Sequence, residues 1–263
     1  MGRIHPTARI SEAARIHPDV QVGPYCVVGP HVVLEPGNVL EAHVVIQGPA
    51  RLGPGNHVFP FACLGTAPQD RKYSGEATRL EVGEGNIIRE YVTMNRGTRA
   101  GTGVTRVGNG GMFMAHAHVA HDCVVGNGVV LANGVALAGH VEVGDQAVLG
   151  GLAAVHQFAR VGTLALVGGG AMVSQDVPPY TVAQGDRARL VGLNLVGLKR
   201  AGVAPEVVRV LREAYRVLFR QGLARSEALR RVEELGGDVL EVQRLLAFVR
   251  SSRRGVCRSH RAG

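Results

Sequence analysis

Residues 107–173 read VGNGGMFMAHAHVAHDCVVGNGVVLANGVALAGHVEVGDQAVLGGLAAVHQFARVGTLALVGGGAMV, and every sixth residue is apolar. The series runs Val107, Phe113, Val119, Val125, Leu131, Leu137, Val143, Leu149, Val155, Val161, Val167 and Val173 without a slip. Upstream the register begins at Ile4 and passes through Ile10, Ile16, Val22, Val28, Leu34, Leu40, Ile46, Leu52 and Val58 to Leu64. It resumes at Val82, Ile88 and Met94. A period of six fits neither an amphipathic helix, at about 3.6, nor a coiled coil, at about 3.5. It fits short strands joined by tight corners, with one inward side chain per strand and three strands to a coil. One unit repeated at a fixed period marks a solenoid. Its coils pair like a parallel sheet, roughly 4.8 Å apart, so residues one coil apart stack on one face of a triangular prism. Each inward aliphatic residue contributes roughly 1.5–3 kcal/mol on burial, enough to sustain a core in a chain with 6 Phe, 5 Tyr and no Trp. A small residue often follows, as in Val22-Gly23, Leu52-Gly53, Val125-Gly126 and Val143-Gly144, where a corner crowds the backbone.

The 263 residues suffice for roughly eight to ten coils and a small second unit. The pattern predicts a solenoid domain over residues 1–185, with loops thrown out near 66–79 and 97–106, and an α-helical domain over 186–263. The change begins at Pro178-Pro179, and beyond Asp186 helical spacing takes over. Pro205 suits the first turn of a helix. Ser226 is expected to cap a second helix ending at Gly236-Gly237. Asp238 with Glu241 forms a capping box for a third, burying Leu240, Leu245, Leu246, Phe248 and Val249. The tail from Arg253 to Gly263 lacks a pattern and is expected to fray.

Met1 to Pro6 enters the first hexad directly, which leaves no space for the apolar stretch of a signal peptide. No window has the roughly 18 uninterrupted apolar residues of a membrane span. Cys26, Cys63, Cys123 and Cys257 form no CxxC pair and read as free thiols of a reducing cytoplasm. From Arg187 onward there are 17 Lys and Arg against 7 Asp and Glu, a face suited to an acidic partner. Nucleic acid is disfavoured, because Tyr215, Phe219 and Phe248 fall at core spacing and no nucleic-acid motif appears.

Both breaks in the register must be loops, and loops on a rigid scaffold collect binding groups. The first carries Gln69, Asp70, Arg71, Lys72 and Tyr73; the second is rich in glycine and threonine. His116, His118 and His121 crowd together, followed by His140 and His156. Val119, Leu137 and Val155 stack on one face, which aligns His121, Gly139 and His156 along one edge within roughly 10 Å of rise. Histidine is the natural general base near neutral pH. Asp122 is placed to orient His121, provided a corner frees the pair from strand alternation. Gly139, stacked over His121, offers a bare backbone N–H as an oxyanion donor for acyl transfer.

His-Val-Ala-His-Asp-Cys at 118–123, Asn-Gly-Val-Ala-Leu-Ala-Gly-His at 133–140 and Ala-Val-His-Gln-Phe at 154–158 give the repeat an identity. With Gln-Asp-Val-Pro-Pro-Tyr at 175–180 and Gly-Leu-Lys-Arg at 197–200, the chain resembles the UDP-N-acetylglucosamine acyltransferases of lipid A biosynthesis. The resemblance implies an all-β left-handed parallel β-helix followed by a small α-helical C-terminal domain. It implies a homotrimer with active sites between subunits, no cofactor and no metal. It also implies acyl carrier protein as donor of a 3-hydroxyacyl chain and UDP-N-acetylglucosamine as acceptor.

Position by position, the resemblance gives His121 as general base, Asp122 as its partner and Gly139 as oxyanion donor. It assigns His118, His140, His156 and Gln157 to the nucleotide-sugar and acyl site. Asp70 and Lys72 would reach the sugar nucleotide, Gly169 would leave room for the acyl tail, and Arg200 would meet phosphate or carrier protein. Ala201 departs from the pattern where a second arginine is common, and Arg187 and Val196 replace polar types. Two rivals share the solenoid: a γ-type carbonic anhydrase with zinc on His116, His118 and His121, and the N-acyltransferase of the same pathway.

Overall fold

The structure is a computed structural model that describes residues 4–259. Strands of mostly two residues alternate with tight corners and form three parallel faces. The first face has nine strands, from Arg9–Ile10 to Met172–Val173, and the second has eight, from Arg15–Ile16 to Arg160–Val161. The third has ten, from Gln21–Val22 to Arg189–Leu193, and the prism is a left-handed parallel β-helix. Val119 pairs with Leu137, Leu137 with Val155 and Val155 with Val173, which is the eighteen-residue stacking that the period requires.

Every register residue from Val22 to Val173 is buried. Ile4 is exposed and Ile10 and Ile16 are half-buried, because the first coil is covered on one side only. The core also holds more than one inward side chain per hexad. Val20 joins Val22, Cys26 joins Val28 and Val44 joins Ile46, each from the preceding corner. At one corner that second position is polar, with Asn38, Asn56 and Asn86 in a column. Asn38 Oδ1 accepts from the Asn56 N–H at 3.1 Å and Asn56 Oδ1 from the Asn86 N–H at 3.0 Å, so these buried amides are paired. Close approach, rather than an unusual φ, demands glycine after the inward residue. A Cβ at Gly126 would lie 2.5 Å from Asp145 Oδ1, and one at Gly144 2.5 Å from the Thr163 nitrogen. The left-handed backbone comes two residues later and carries bulky side chains, including Asp122, His140 and Phe158 at φ 59°, 62° and 63°.

The third face runs on past residue 186. Thr181–Gln184 and Arg189–Leu193 close it as an antiparallel pair before helical structure begins. Helices follow at Leu195–Arg200 (α1), Pro205–Phe219 (α2), Arg225–Gly236 (α3) and Leu240–Ser251 (α4). Pro205 opens α2 as its spacing predicts, whereas α1 was not anticipated. Asn194 caps α1, accepting from the Gly197 N–H at 2.9 Å and donating to the Leu164 carbonyl at 2.9 Å. Neither expected side-chain cap forms. α3 starts at Arg225, whose guanidinium ties to the Val249 and Arg250 carbonyls, so Ser226 lies inside the helix. Val239, not Asp238, precedes α4, because backbone bonds from Gly237 to Glu233 and from Val239 to Gly236 carry the chain between helices. That register buries Val242, Leu245, Leu246 and Val249, exposes Leu240 and leaves Phe248 half-buried.

Helices α1 to α4 pack on Leu164 and Tyr180 at the end of the prism. The tail does not fray through its described part. Asp176 pairs with Val256, Leu190 pairs with Ser259 and Cys257 is buried, while residues 260–263 lie outside the described chain.

Candidate active site

Both loops leave the prism at the edge between the first and second faces. Residues 67–78 join Cys63–Thr66 to Arg79–Val82, and residues 96–103 join Thr93–Asn95 to Val104–Val107. The next three coils turn the same edge between His118–Val119 and Val124–Val125, Ala136–Leu137 and Glu142–Val143, and Ala154–Val155 and Arg160–Val161. Strand pairing stacks His121 under Gly139 and Gln157, and Asp122 under His140 and Phe158.

Strand neighbours point to opposite faces, but Asp122 has left the strand. With φ at 59° its carboxylate swings beside the preceding imidazole, and His121 Nδ1 lies 2.9 Å from Asp122 Oδ2. A buried carboxylate only accepts, so this contact puts the hydrogen on Nδ1 and leaves the lone pair on Nε2. The Asp122 side chain is 0% exposed and that of His121 15%. Asp122 also accepts from the Thr98 hydroxyl at 2.6 Å, from the Thr98 N–H at 3.1 and 3.2 Å, and from the Thr102 N–H at 3.0 Å. Burial by itself would raise the carboxyl pKa. The Thr98 hydroxyl, His121, the Thr98 amide and the charge of His140 more than reverse it, so Asp122 is held below its ordinary range.

Gly139 lies against the imidazole. A Cβ there would be 2.6 Å from His121 Cε1 and 2.7 Å from Nε2, so any side chain would displace the ring. The Gly139 N–H has no acceptor among the described residues, which leaves a backbone donor beside a basic nitrogen. His140 stands edge-on to His121, with centroids 5.0 Å apart, and stacks on Phe158 at 4.4 Å. Its pKa is lowered by burial and by His121, with Asp122 and Asp70 pulling the other way. Asp70, in the first loop, is therefore within electrostatic reach of this edge.

His118 points outward from its strand, Nδ1 2.7 Å from Thr93 Oγ1, and burial followed by the charge of His121 lowers its pKa. His118 and His140 thus have folded pKa values below the unfolded value of about 6.5. As pH falls the unfolded chain takes up protons first, so stability is full above about pH 6.5 and declines below it. His118→Asn is expected to flatten the acid limb of a plot of Tm against pH; an unchanged limb would exclude His118 as its source.

His156 and Gln157 reach the same edge but face outward, with His156 Nδ1 3.1 Å from the Gln157 carbonyl. In the first loop Asp70 Oδ1 accepts from the Lys72 N–H at 3.0 Å, and Lys72 is exposed. Arg96 holds that loop down, donating through Nε to Tyr73 Oη at 3.0 Å and through Nη1 to the Gly48 carbonyl. Arg96, Thr98 and Thr102 did not stand out in the sequence. The available signal was that both breaks fall at the same point of the coil. Gly169 lies at another corner, between the third and first faces, beside Gly151, and Arg200 ends α1, exposed. Within one chain neither shares the corner that carries His121.

The three-histidine zinc arrangement finds no support in the geometry. His116 belongs to a third column, stacked on Tyr91 at 4.9 Å, while His118 and His121 lie along and beyond the far end of the strand. His121, Asp122 and His140 place donor atoms within 4.8 Å of one another, but both Asp122 oxygens are already engaged by Thr98, Thr102 and His121.

Residues 13–48 match the family described as bacterial transferase hexapeptide (six repeats), and residues 176–257 match domain 2 of UDP-N-acetylglucosamine O-acyltransferase. The acyl-[acyl-carrier-protein]–UDP-N-acetylglucosamine O-acyltransferase of Myxococcus xanthus is 52% identical over 212 residues, 80% of this chain and 82% of that one. The Thermodesulfovibrio yellowstonii protein of the same name is 47% identical over 216 residues, 82% of this chain and 84% of that one. The crystal structure of UDP-N-acetylglucosamine O-acyltransferase from Moraxella catarrhalis superposes with a TM-score of 0.95 at 42% identity, covering 97% of this chain and 99% of that one. A prism edge carrying an oriented imidazole beside a bare amide, and relatives this similar along most of their length, place the chain in the UDP-N-acetylglucosamine O-acyltransferase family.

Proposed function

We propose that this chain transfers a 3-hydroxyacyl group from acyl carrier protein to the 3-hydroxyl of UDP-N-acetylglucosamine, the first step of lipid A biosynthesis. The names of its relatives support the reaction, and the His121–Asp122 contact at 2.9 Å, with the Gly139 amide beside the ring, supports the roles. His121 Nε2 takes the proton of the sugar hydroxyl as its oxygen attacks the thioester carbonyl. Asp122 holds the opposite nitrogen and stabilises the imidazolium. The Gly139 N–H meets the oxyanion of the tetrahedral intermediate. Collapse expels the carrier protein's thiolate, which takes the proton back from His121, so the base is restored.

The acceptor side falls to Asp70 and Lys72, with His118, His140, His156 and Gln157 lining the edge. The protein works as a cytoplasmic homotrimer with each site between subunits. This accords with Gly169 and Arg200 lying on other parts of the same chain. Among the described residues no helix is long and apolar enough to cross a membrane.

Turnover assays with UDP-N-acetylglucosamine and its 3-amino analogue, against acyl carrier proteins of several chain lengths, test this reading. Transfer to the hydroxyl acceptor is expected. No transfer, or transfer only to the amino analogue, would overturn it.

A further inference from the structure

We propose that Thr98, in the loop of residues 96–103, is a positioning residue for this acyl transfer: its hydroxyl fixes the Asp122 carboxylate that orients His121. The role rests on the function proposed above. The direction of the hydroxyl bond is determined by its other neighbour. The Gly101 N–H lies 3.2 Å from Thr98 Oγ1 and is a donor only, so it occupies a lone pair. The hydroxyl hydrogen is therefore free for Asp122 Oδ2, at 2.6 Å. Oδ2 is also the oxygen that accepts from His121 Nδ1, so Thr98 acts on the atom the base depends on. The Thr98 N–H bonds the same carboxylate, and the residue is 3% exposed, which keeps solvent from substituting for its hydroxyl.

Thr102 has a different part. Its hydroxyl donates to the Val104 carbonyl at 2.8 Å, and only its N–H, at 3.0 Å, serves the carboxylate well. Thr98 is thus the close hydroxyl donor to Asp122, since the Thr102 hydroxyl lies 3.4 Å from Oδ1 and its one hydrogen goes to Val104. The loop is shaped for this. The Thr98 carbonyl accepts from the Gly101 and Gly103 amides at 3.2 and 3.0 Å, curling the chain over the carboxylate. A Cβ at Gly101 would lie 2.3 Å from Asp122 Cγ, so glycine is what lets the loop close. The glycine- and threonine-rich interruption is, on this reading, the cradle of the dyad.

Steady-state kinetics of Thr98→Val and Thr98→Ser, with UDP-N-acetylglucosamine and a 3-hydroxyacyl carrier protein, test the role. Thr98→Val is expected to lower kcat about ten- to hundredfold with KM for both substrates little changed. Thr98→Ser, which keeps the hydroxyl, is expected to restore most of kcat. Thr98→Ala gives the same test should the valine variant fail to fold. A wild-type kcat without the hydroxyl, a serine variant as slow as valine, or a loss confined to KM overturns the role. An inactive wild-type protein in the same assay overturns the function itself.

Discussion

Replacing His121 with alanine is expected to reduce kcat by about 10²–10⁴-fold, the usual worth of a positioned general base, while the protein stays folded. The imidazole lies outside the prism, 15% exposed at a corner, and none of the inward aliphatic residues depends on it. Its removal leaves Asp122 with the Thr98 and Thr102 donors, so the buried carboxylate keeps partners. Oligomeric state by light scattering and Tm should therefore match wild type within a few degrees. Substrate KM should change little, because the lost interaction belongs to proton transfer rather than ground-state binding. Near-normal turnover in a folded His121→Ala protein would falsify the base assignment.

Asp122→Asn is expected to be nearly as costly, on the order of 10²–10⁴-fold in kcat, although it changes hardly any volume. The site offers only donors: the Thr98 amide and hydroxyl, the Thr102 amide and His121 Nδ1–H. An amide has a single acceptor oxygen, so its NH2 must oppose a donor in either orientation. If the NH2 faces His121, the ring changes tautomer and puts its hydrogen on Nε2, where the lone pair is needed. If it takes the place of Oδ1, the part-buried Thr102 N–H loses its acceptor, at about 1–3 kcal/mol, while Thr98 and His121 keep the remaining oxygen. Kinetics and denaturation together separate the two outcomes. A variant with wild-type kcat and wild-type stability would remove Asp122 from the mechanism.

The prism was legible because one local rule, an apolar residue every six, coincides with burial at every register position from Val22 to Val173. The edge was legible for the same reason, since His121, Gly139 and His140 fall at fixed offsets from Val119 and Leu137. Periodicity did not reach the second inward position, where Asn38, Asn56 and Asn86 are held by hydrogen bonds between coils rather than by hydropathy. Thr98 was equally hidden. Its partner lies 24 residues away, across a loop whose length breaks the arithmetic. Helix starts failed in another way: at Ser226 and Asp238 local capping preference yielded to tertiary contacts such as Arg225 on the Val249 carbonyl.

The offset between paired strands also makes the length of the molecule a modular quantity. Val28 pairs with Ile46 and Val125 with Val143 at the same separation of eighteen, with most bonds running only to the adjoining turn. Excising one such block well below the edge that carries His121 subtracts a storey and leaves those above it in phase. Within the loop-free run from Val107 to Val173, losing a stretch that is not a multiple of six instead turns the later aliphatic residues toward water. Gene variants in this lineage should therefore gain or shed whole storeys far more readily than single residues.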